Sequence, residues 1–219
     1  MDAEPPKRKR HWFQFQFSLR TLLIFALIAA LGCAWLGRKI ERKRREQAIV
    51  DAIRERGGVV EYDYINGEPS GPAWLRWLLG DNLFDDVKRA RIRHVDEATL
   101  GGLAEMTRLR RLDLNNTNMT DDGLAHLKGL TQLQWLDLDN TQVTDGGLVN
   151  LKGLIQLQNL FLAKTKVTDD GLVNLKALNE LQRLFLFNTK VTGAGVADLN
   201  KALPNCKIMR GSLRSSASR

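Results

Sequence analysis

Three carboxylates, Asp113, Asp137 and Asp139, come closest to a chemical apparatus in this chain. Two acids within a few ångströms of each other can share a proton, act as an acid/base pair, or hold a cation between them. Each of those roles needs further groups. His94 and His126 fall outside the column these acids occupy, no H-E-x-x-H pair or phosphate-cradling glycine loop occurs, and no Ser or Cys sits beside a candidate base. The two cysteines, Cys33 and Cys206, make neither a disulfide framework nor a ligand set. Catalysis, a cofactor and a metal are therefore not expected, and a carboxylate-based enzyme is the weaker reading. The sequence points instead to contact chemistry. Trp135, Phe161, Phe185 and Phe187 recur with Arg91, Arg111 and Arg183 and with the three acids at positions that share one surface. Aromatic and arginine side chains dominate the energetics of protein interfaces.

What places those residues together is a line of sequence copied four times. The copies begin at Leu109, Leu133, Leu157 and Leu181, a constant step of 24 residues. Each carries an L-x-x-L-x-L core, the mark of a leucine-rich repeat solenoid. In the first copy Leu109, Leu112 and Leu114 are expected in the core, with Arg111, Asp113 and Asn115 on the opposite face of a strand, because side chains alternate with period two. Successive strands then present Arg89/Arg91/Arg93, Arg111/Asp113/Asn115, Trp135/Asp137/Asp139, Asn159/Phe161/Ala163 and Arg183/Phe185/Phe187. That wall grades from cationic through acidic to aromatic. Strands about 4.8 Å apart let Arg91 pair with Asp113 and crowd Asp113 against Asp137. Four large aromatics on a face that is ordinarily solvated mark a contact site; the competing reading puts Phe185 and Phe187 under a C-terminal cap.

Other recurring positions read as scaffold. Thr117, Thr141, Thr165 and Thr189, three of them preceded by Asn116, Asn140 and Asn188, suit the turn after each strand. Thr120, Thr144, Thr168 and Thr192 suit helix N-caps, with Asp121, Asp145 and Asp169 favoured by the dipole of the first turn. Gly123, Gly147, Gly171 and Gly195 recur in that turn, where small size permits a close approach to the neighbouring repeat. Val87-Ala90-Ile92 is a degenerate first copy, two residues short, and Cys206-Lys207-Ile208 a closing strand.

The charge separates along the chain. Of the net +8, residues 1–58 hold 13 Lys/Arg against 6 Asp/Glu, residues 59–209 hold 17 against 19, and the last ten residues add three arginines. Basicity beside an apolar segment fits lipid headgroups better than a phosphate backbone, so nucleic-acid binding is not expected. The predicted order is a basic tail at 1–18, a transmembrane anchor at 19–37, a juxtamembrane helix at 38–58, an N-terminal cap at 59–84, the repeat domain at 85–209 and a disordered tail at 210–219. About 18 residues from Leu19 make roughly 27 Å of helix, enough for the bilayer core. Trp12 and Trp35 flank it. Ala30-Leu31-Gly32 and Gly32-Cys33 leave a cleaved signal and a lipoprotein site open, but the following RKIERKRR resists transfer and favours a retained anchor. Five positive charges before the segment and six after it assign no side, so an extracytoplasmic repeat domain is one of two open orientations. Ala26, Ala30 and Ala34 give the anchor a route to self-association.

In the predicted juxtamembrane helix the stripe is Ala48, Ile49, Ala52 and Ile53, ended by Gly57-Gly58. Val59–Ile65 alternates as a strand, and Trp74 and Trp77 are expected in the cap core.

The line L-x-x-L-x-L-x-x-T-x-V-T-D-x-G-L resembles bacterial leucine-rich repeats. With the F-S-L-R-T-L-L segment ahead of it, the arrangement resembles the membrane-associated leucine-rich repeat proteins of planctomycete bacteria. The resemblance implies a right-handed horseshoe with a parallel sheet on its concave side and short helices outside, used for protein–protein contact. A substrate-adaptor role, known for some relatives, has no accompanying adaptor domain ahead of these repeats. The expected function is thus a noncatalytic, membrane-anchored module that binds an unknown protein through the concave face, with a self-assembling envelope protein as the alternative.

Overall fold

A computed structural model describes residues 19–62, Trp77 and 86–211. The chain divides into two units, Met1–Glu41 and Arg42–Arg219. Helix α1, Leu19–Glu55, begins in the first. Its apolar part has a mean hydropathy of 1.7 over an 18-residue window, none of it buried. That is length and apolarity enough to cross a membrane, a test a signal sequence also meets. Lys39 Nζ lies 5.3 Å from the centre of the Trp35 ring, a cation over an aromatic face. The basic tail and Trp12 lie outside the described residues.

The second unit is a leucine-rich repeat solenoid. The C-terminal part of α1 stops where Gly57 adopts φ 74°. Gly57 N–H donates to Arg54 O and Gly58 N–H to Ile53 O, both at 2.9 Å, the paired bonds that close a helix on a left-handed glycine. The buried face of this segment is Val50 and Ile53, with Ile49 beside them; Ala48, expected in the stripe, is exposed. The stripe is turned because Lys43, Glu46 and Val50 follow one helical line. Lys43, buried, pairs with Glu46 at 2.8 Å and Asp86 at 3.0 Å. That brings Val50 to the core side.

Among the described residues seven strands follow in chain order across one sheet. β1, Val59–Tyr62, runs antiparallel to β2, Val87–Arg91. Every later pair is parallel: β3 (Arg111–Asp113), β4 (Trp135–Asp137), β5 (Asn159–Phe161), β6 (Arg183–Phe187) and β7 (Lys207–Gly211). Leu112, Leu136, Leu160 and Leu184 stand in register with one another, each 0% exposed, and Ala90 and Ile208 continue the row at its ends. Regular spacing of aliphatic residues thus gives one continuous wall of core. Short helices return the chain on the other side: α2 (Glu97–Leu103), α3 (Asp121–Leu124), α4 (Asp145–Leu148), α5 (Asp169–Leu172) and α6 (Gly193–Ala202). The three four-residue helices each continue into a 3-10 turn that buries its last leucine, Leu127, Leu151 or Leu175.

Boundaries move where hydrogen bonding outruns sequence pattern. β7 extends to Gly211, two residues into the stretch read as disordered tail, because the long β6 offers partners as far as Phe187. Asn188 N–H adds a bond to Gly211 O at 2.9 Å. Residues 212–219 and most of the expected cap, 63–76 and 78–85, lie outside the described residues. Trp77, expected inside the cap, is 87% exposed.

The recurring threonines are scaffold. Thr117, Thr141, Thr165 and Thr189 Oγ1 donate to the carbonyls of Leu114, Leu138, Leu162 and Leu186 at 2.6–2.8 Å. Just before each stands a residue with a left-handed backbone: Asn116, Asn140, Lys164 and Asn188, φ 54–57°. Asparagine enters this region readily and lysine only at a cost in strain. Asn140 Nδ2 also donates to Asn116 Oδ1 at 2.8 Å, starting a row that Lys164 interrupts. Lys164→Asn is expected to stabilise the solenoid by about 0.5–1 kcal/mol. Chemical denaturation in high salt, which screens the lost charge, would show it as a raised midpoint at unchanged slope.

Candidate functional site

The concave face is built by the outward residues of β2 to β6. Arg91 Nε donates to Asp113 Oδ2 at 2.6 Å. Arg111 stands opposite Trp135 in register, its guanidinium 3.9 Å from the ring centre. Trp135 leans on Phe161 (5.0 Å between centres, 49° between planes), and Phe161 stacks on Phe185 (4.3 Å, 8°). Phe187 lies 6.5 Å from Phe185 at 45°. The four aromatics form one array, each ring half-buried against its neighbours. Phe161 lies between Trp135 and Phe185, tilted against the first and stacked on the second. β7 continues the sheet with Met209 opposite Phe185 and Gly211 opposite Phe187, and the two rings remain partly exposed. Arg183, at the head of β6, is exposed opposite Asn159.

The acids sit differently from the expected acidic midsection. Asp113 and Asp137 are only 5% and 7% exposed. Their oxygens turn to the backbone of their own repeat: Asn115 N–H donates to Asp113 Oδ1 at 3.2 Å and Asp139 N–H to Asp137 Oδ1 at 2.9 Å. Asn115 Nδ2 reaches Asp137 Oδ2 at 3.3 Å. Asp139, half-buried, accepts from Ala163 N–H of the next repeat at 2.6 Å. A strand of three residues ends where these amides would otherwise lack partners, and the carboxylates supply them. The expected acidic midsection is therefore reduced to the half-exposed Asp139, with Asp113 and Asp137 folded inward.

Burial pushes the Asp139 carboxyl up to about 6, with the charges of Asp137 and Asp113 adding to it and the Ala163 amide and Lys164 opposing it. Burial also raises Asp137, against the bonds from Asp139 N–H and Asn115, and the facing charge of Asp113 works in the same direction as burial. Raised acids are what general acid/base chemistry uses. Here the shifts come from burial in the sheet, against the bonds that brace the acids there, and no nucleophile stands beside them among the described residues. Among the same residues no group of three or more His, Cys, Asp or Glu is placed to hold a metal.

Two hollows open at the N-terminal rim of the sheet. A smaller one of about 250 Å³ is lined by Glu61, Arg89, Arg91, Arg111 and Asp113 among others. A larger one of about 520 Å³ runs along Arg89, Arg110, Arg111, Gln134, Trp135, Gln158 and Asn159. Arg110, Gln134 and Gln158 belong to a row not counted as part of the face, one residue before each strand. Their constant 24-residue spacing was the available signal.

No protein-family model matches the chain. No curated protein matches it either. Among solved structures it is similar to internalin C2 from Listeria monocytogenes, at 24% identity over 67% of this chain and 59% of that one, TM-score 0.44. It is similar to a leucine-rich repeat protein from Leptospira interrogans, at 22% identity over 54% of this chain and 28% of that one, TM-score 0.41. The leucine-rich repeat ectodomain of the receptor kinase SOBIR1 from Arabidopsis thaliana matches at 15% identity over 77% of this chain and 92% of that one, TM-score 0.47. This chain's fold rests on its own buried leucine row. It spans 59% of the internalin's length and 28% of the Leptospira protein's.

Proposed function

We propose that this chain is a noncatalytic, membrane-anchored recognition module that binds another protein through its concave face. It would be one of the planctomycete-type membrane-associated repeat proteins. The observation that carries the reading is the array Trp135–Phe161–Phe185–Phe187, held together by ring contacts yet still partly exposed. A surface that keeps four large aromatics beside solvent is organised for contact. The acids do not compete as a catalytic centre, because their oxygens serve backbone amides and Arg91. The helix ahead of the solenoid would hold it at a membrane, as the apolar window of α1 allows.

Trp135→Ser, Phe161→Ser and Phe185→Ser together are expected to abolish partner capture at the face. A photo-crosslinking side chain in place of Asn159 reads that capture in the native membrane. Far-ultraviolet circular dichroism is expected to stay unchanged, since none of the three rings belongs to the leucine core. Undiminished crosslinking by the folded triple variant would reject the assignment. A self-assembling envelope protein would instead crosslink to a second copy of itself.

A further inference from the structure

We propose that the groove at the N-terminal rim of the concave face takes an extended, carboxylate-bearing segment of a protein partner. This inference rests on the concave-face reading and adds the chemistry of what lies there. Arg89, Arg110 and Arg111 line the groove beside the Trp135 ring. Arg89 is held by Glu61 at 3.0 Å, and Arg111 by the face of Trp135 rather than by an acid. Glu61, which also lines the groove, is taken by Arg89, Asp113 by Arg91, and both Asp113 and Asp137 by backbone amides. Among the described residues no ion pair joins Arg110 or Arg111 to a carboxylate, and guanidinium groups so placed bind carboxylate oxygens in a planar fork.

The aromatic array strengthens the same preference. Phe161 and Phe185 stack face to face and Arg111 covers one face of Trp135, so these negative faces are already occupied. Beside Arg110 and Arg111, the half-buried rings favour anionic oxygens flanked by apolar carbon. Gln134, Gln158 and Asn159 continue the groove with neutral donors and acceptors suited to a peptide backbone. A polyanion such as nucleic acid is disfavoured: residues 59–209 carry 17 basic against 19 acidic side chains, so the body around this local patch offers it no extended basic track.

The test uses the full chain in detergent micelles with labelled oligoglutamate, oligolysine and inorganic polyphosphate, followed by fluorescence anisotropy. Oligoglutamate is expected to bind, oligolysine not, and polyphosphate more weakly than oligoglutamate. Arg110→Glu with Arg111→Glu is expected to lower oligoglutamate affinity at least tenfold, while Lys128→Glu with Lys152→Glu on the helical side leaves it unchanged. Equal binding by both double variants would overturn the proposal, as would polyphosphate held as tightly as the peptide. Crosslinking at the Asn159 position separates the two readings. A partner captured there without oligoglutamate binding removes the acidic segment and leaves the concave contact, whereas no capture in any form removes the contact itself.

Discussion

Replacing Gly171 with alanine is expected to cost the solenoid about 2–4 kcal/mol, far more than an ordinary glycine-to-alanine change. The cause is a clamp that joins neighbouring repeats. Asp145 accepts from Thr168 N–H at 2.8 Å and from Thr168 Oγ1 at 2.6 Å, 23 residues ahead. Asp121 does the same to Thr144 and Asp169 to Thr192. Thr168 meanwhile caps its own helix, accepting from Asp170 N–H at 3.3 Å. A Cβ on Gly171 would overlap Asp145 Oδ1 and stand 3.0 Å from its Cγ and 3.1 Å from Leu148 Cδ1. The carboxylate is a side-chain end and can swing away, but only by leaving both of its bonds to Thr168. Those are charge-assisted bonds, and one of the donors is a backbone amide.

The control is Gly153→Ala, where a Cβ would meet only Lys128 O at 3.9 Å and the effect is expected within about 0.5 kcal/mol. A double-mutant cycle isolates the clamp. Asp145→Ala removes the bonds and the obstruction together, so adding Gly171→Ala to it is expected to cost little more. The coupling energy comes to about 1–3 kcal/mol. Losses in urea that simply add would show that glycine serves only the local helix turn.

The clamp also shows what sequence pattern reveals and what it hides. The leucines, the cap threonines and the small residue in the first turn were all legible, because each obeys a local rule repeated every 24 residues. The partner of Asp145 was not. Read alone, an acid at a helix start belongs to the dipole of its own helix, and only stacking brings the next repeat's threonine to its oxygens. The same limit applies to Asp113 and Asp137. Period two put them correctly on the outer side of the strand, but a three-residue strand leaves amides unsatisfied just beyond it, and the acids bend back to them. The aromatic column was legible for the opposite reason: rings on one face at equivalent or adjacent positions must meet when strands stack about 4.8 Å apart. Lys164 is the one break in the asparagine series, and its backbone pays the strain that the pattern should have exposed.

Stability is expected to fall as pH rises from about 4 to about 6, and Asp139→Asn to remove most of that slope. The sign follows from where the proton is held more tightly. Asp139 titrates at about 6 in the folded chain and near 3.8 when unfolded, so between those values the folded state binds more protons. Raising the pH through the interval withdraws that advantage, and above it the buried charge is simply a cost. The full shift would correspond to about 3 kcal/mol; partial exposure reduces the expected change to about 1–2 kcal/mol. Asp137, raised chiefly by burial, contributes with the same sign. The carboxylates held low act in a different window. Asp86 is lowered, despite its burial, by Lys43 and Arg108, and Asp169 by its bonds to Thr192. Their stabilisation is complete above about 3.8 and is lost only as the pH drops through their lower folded values. The two sets therefore separate cleanly in denaturation curves taken from pH 4 to pH 7. Asparagine keeps an oxygen for Ala163 N–H, so the variant should retain the brace, gain stability at pH 7 and lie nearly flat across the interval. Curves for the two proteins that run parallel would mean that Asp139 is solvated enough to titrate as an ordinary surface acid. Asp139 is ionised at pH 7 in either case, since about 6 lies below neutrality, so the result bears on the stability of the sheet and not on the groove beside Arg110 and Arg111.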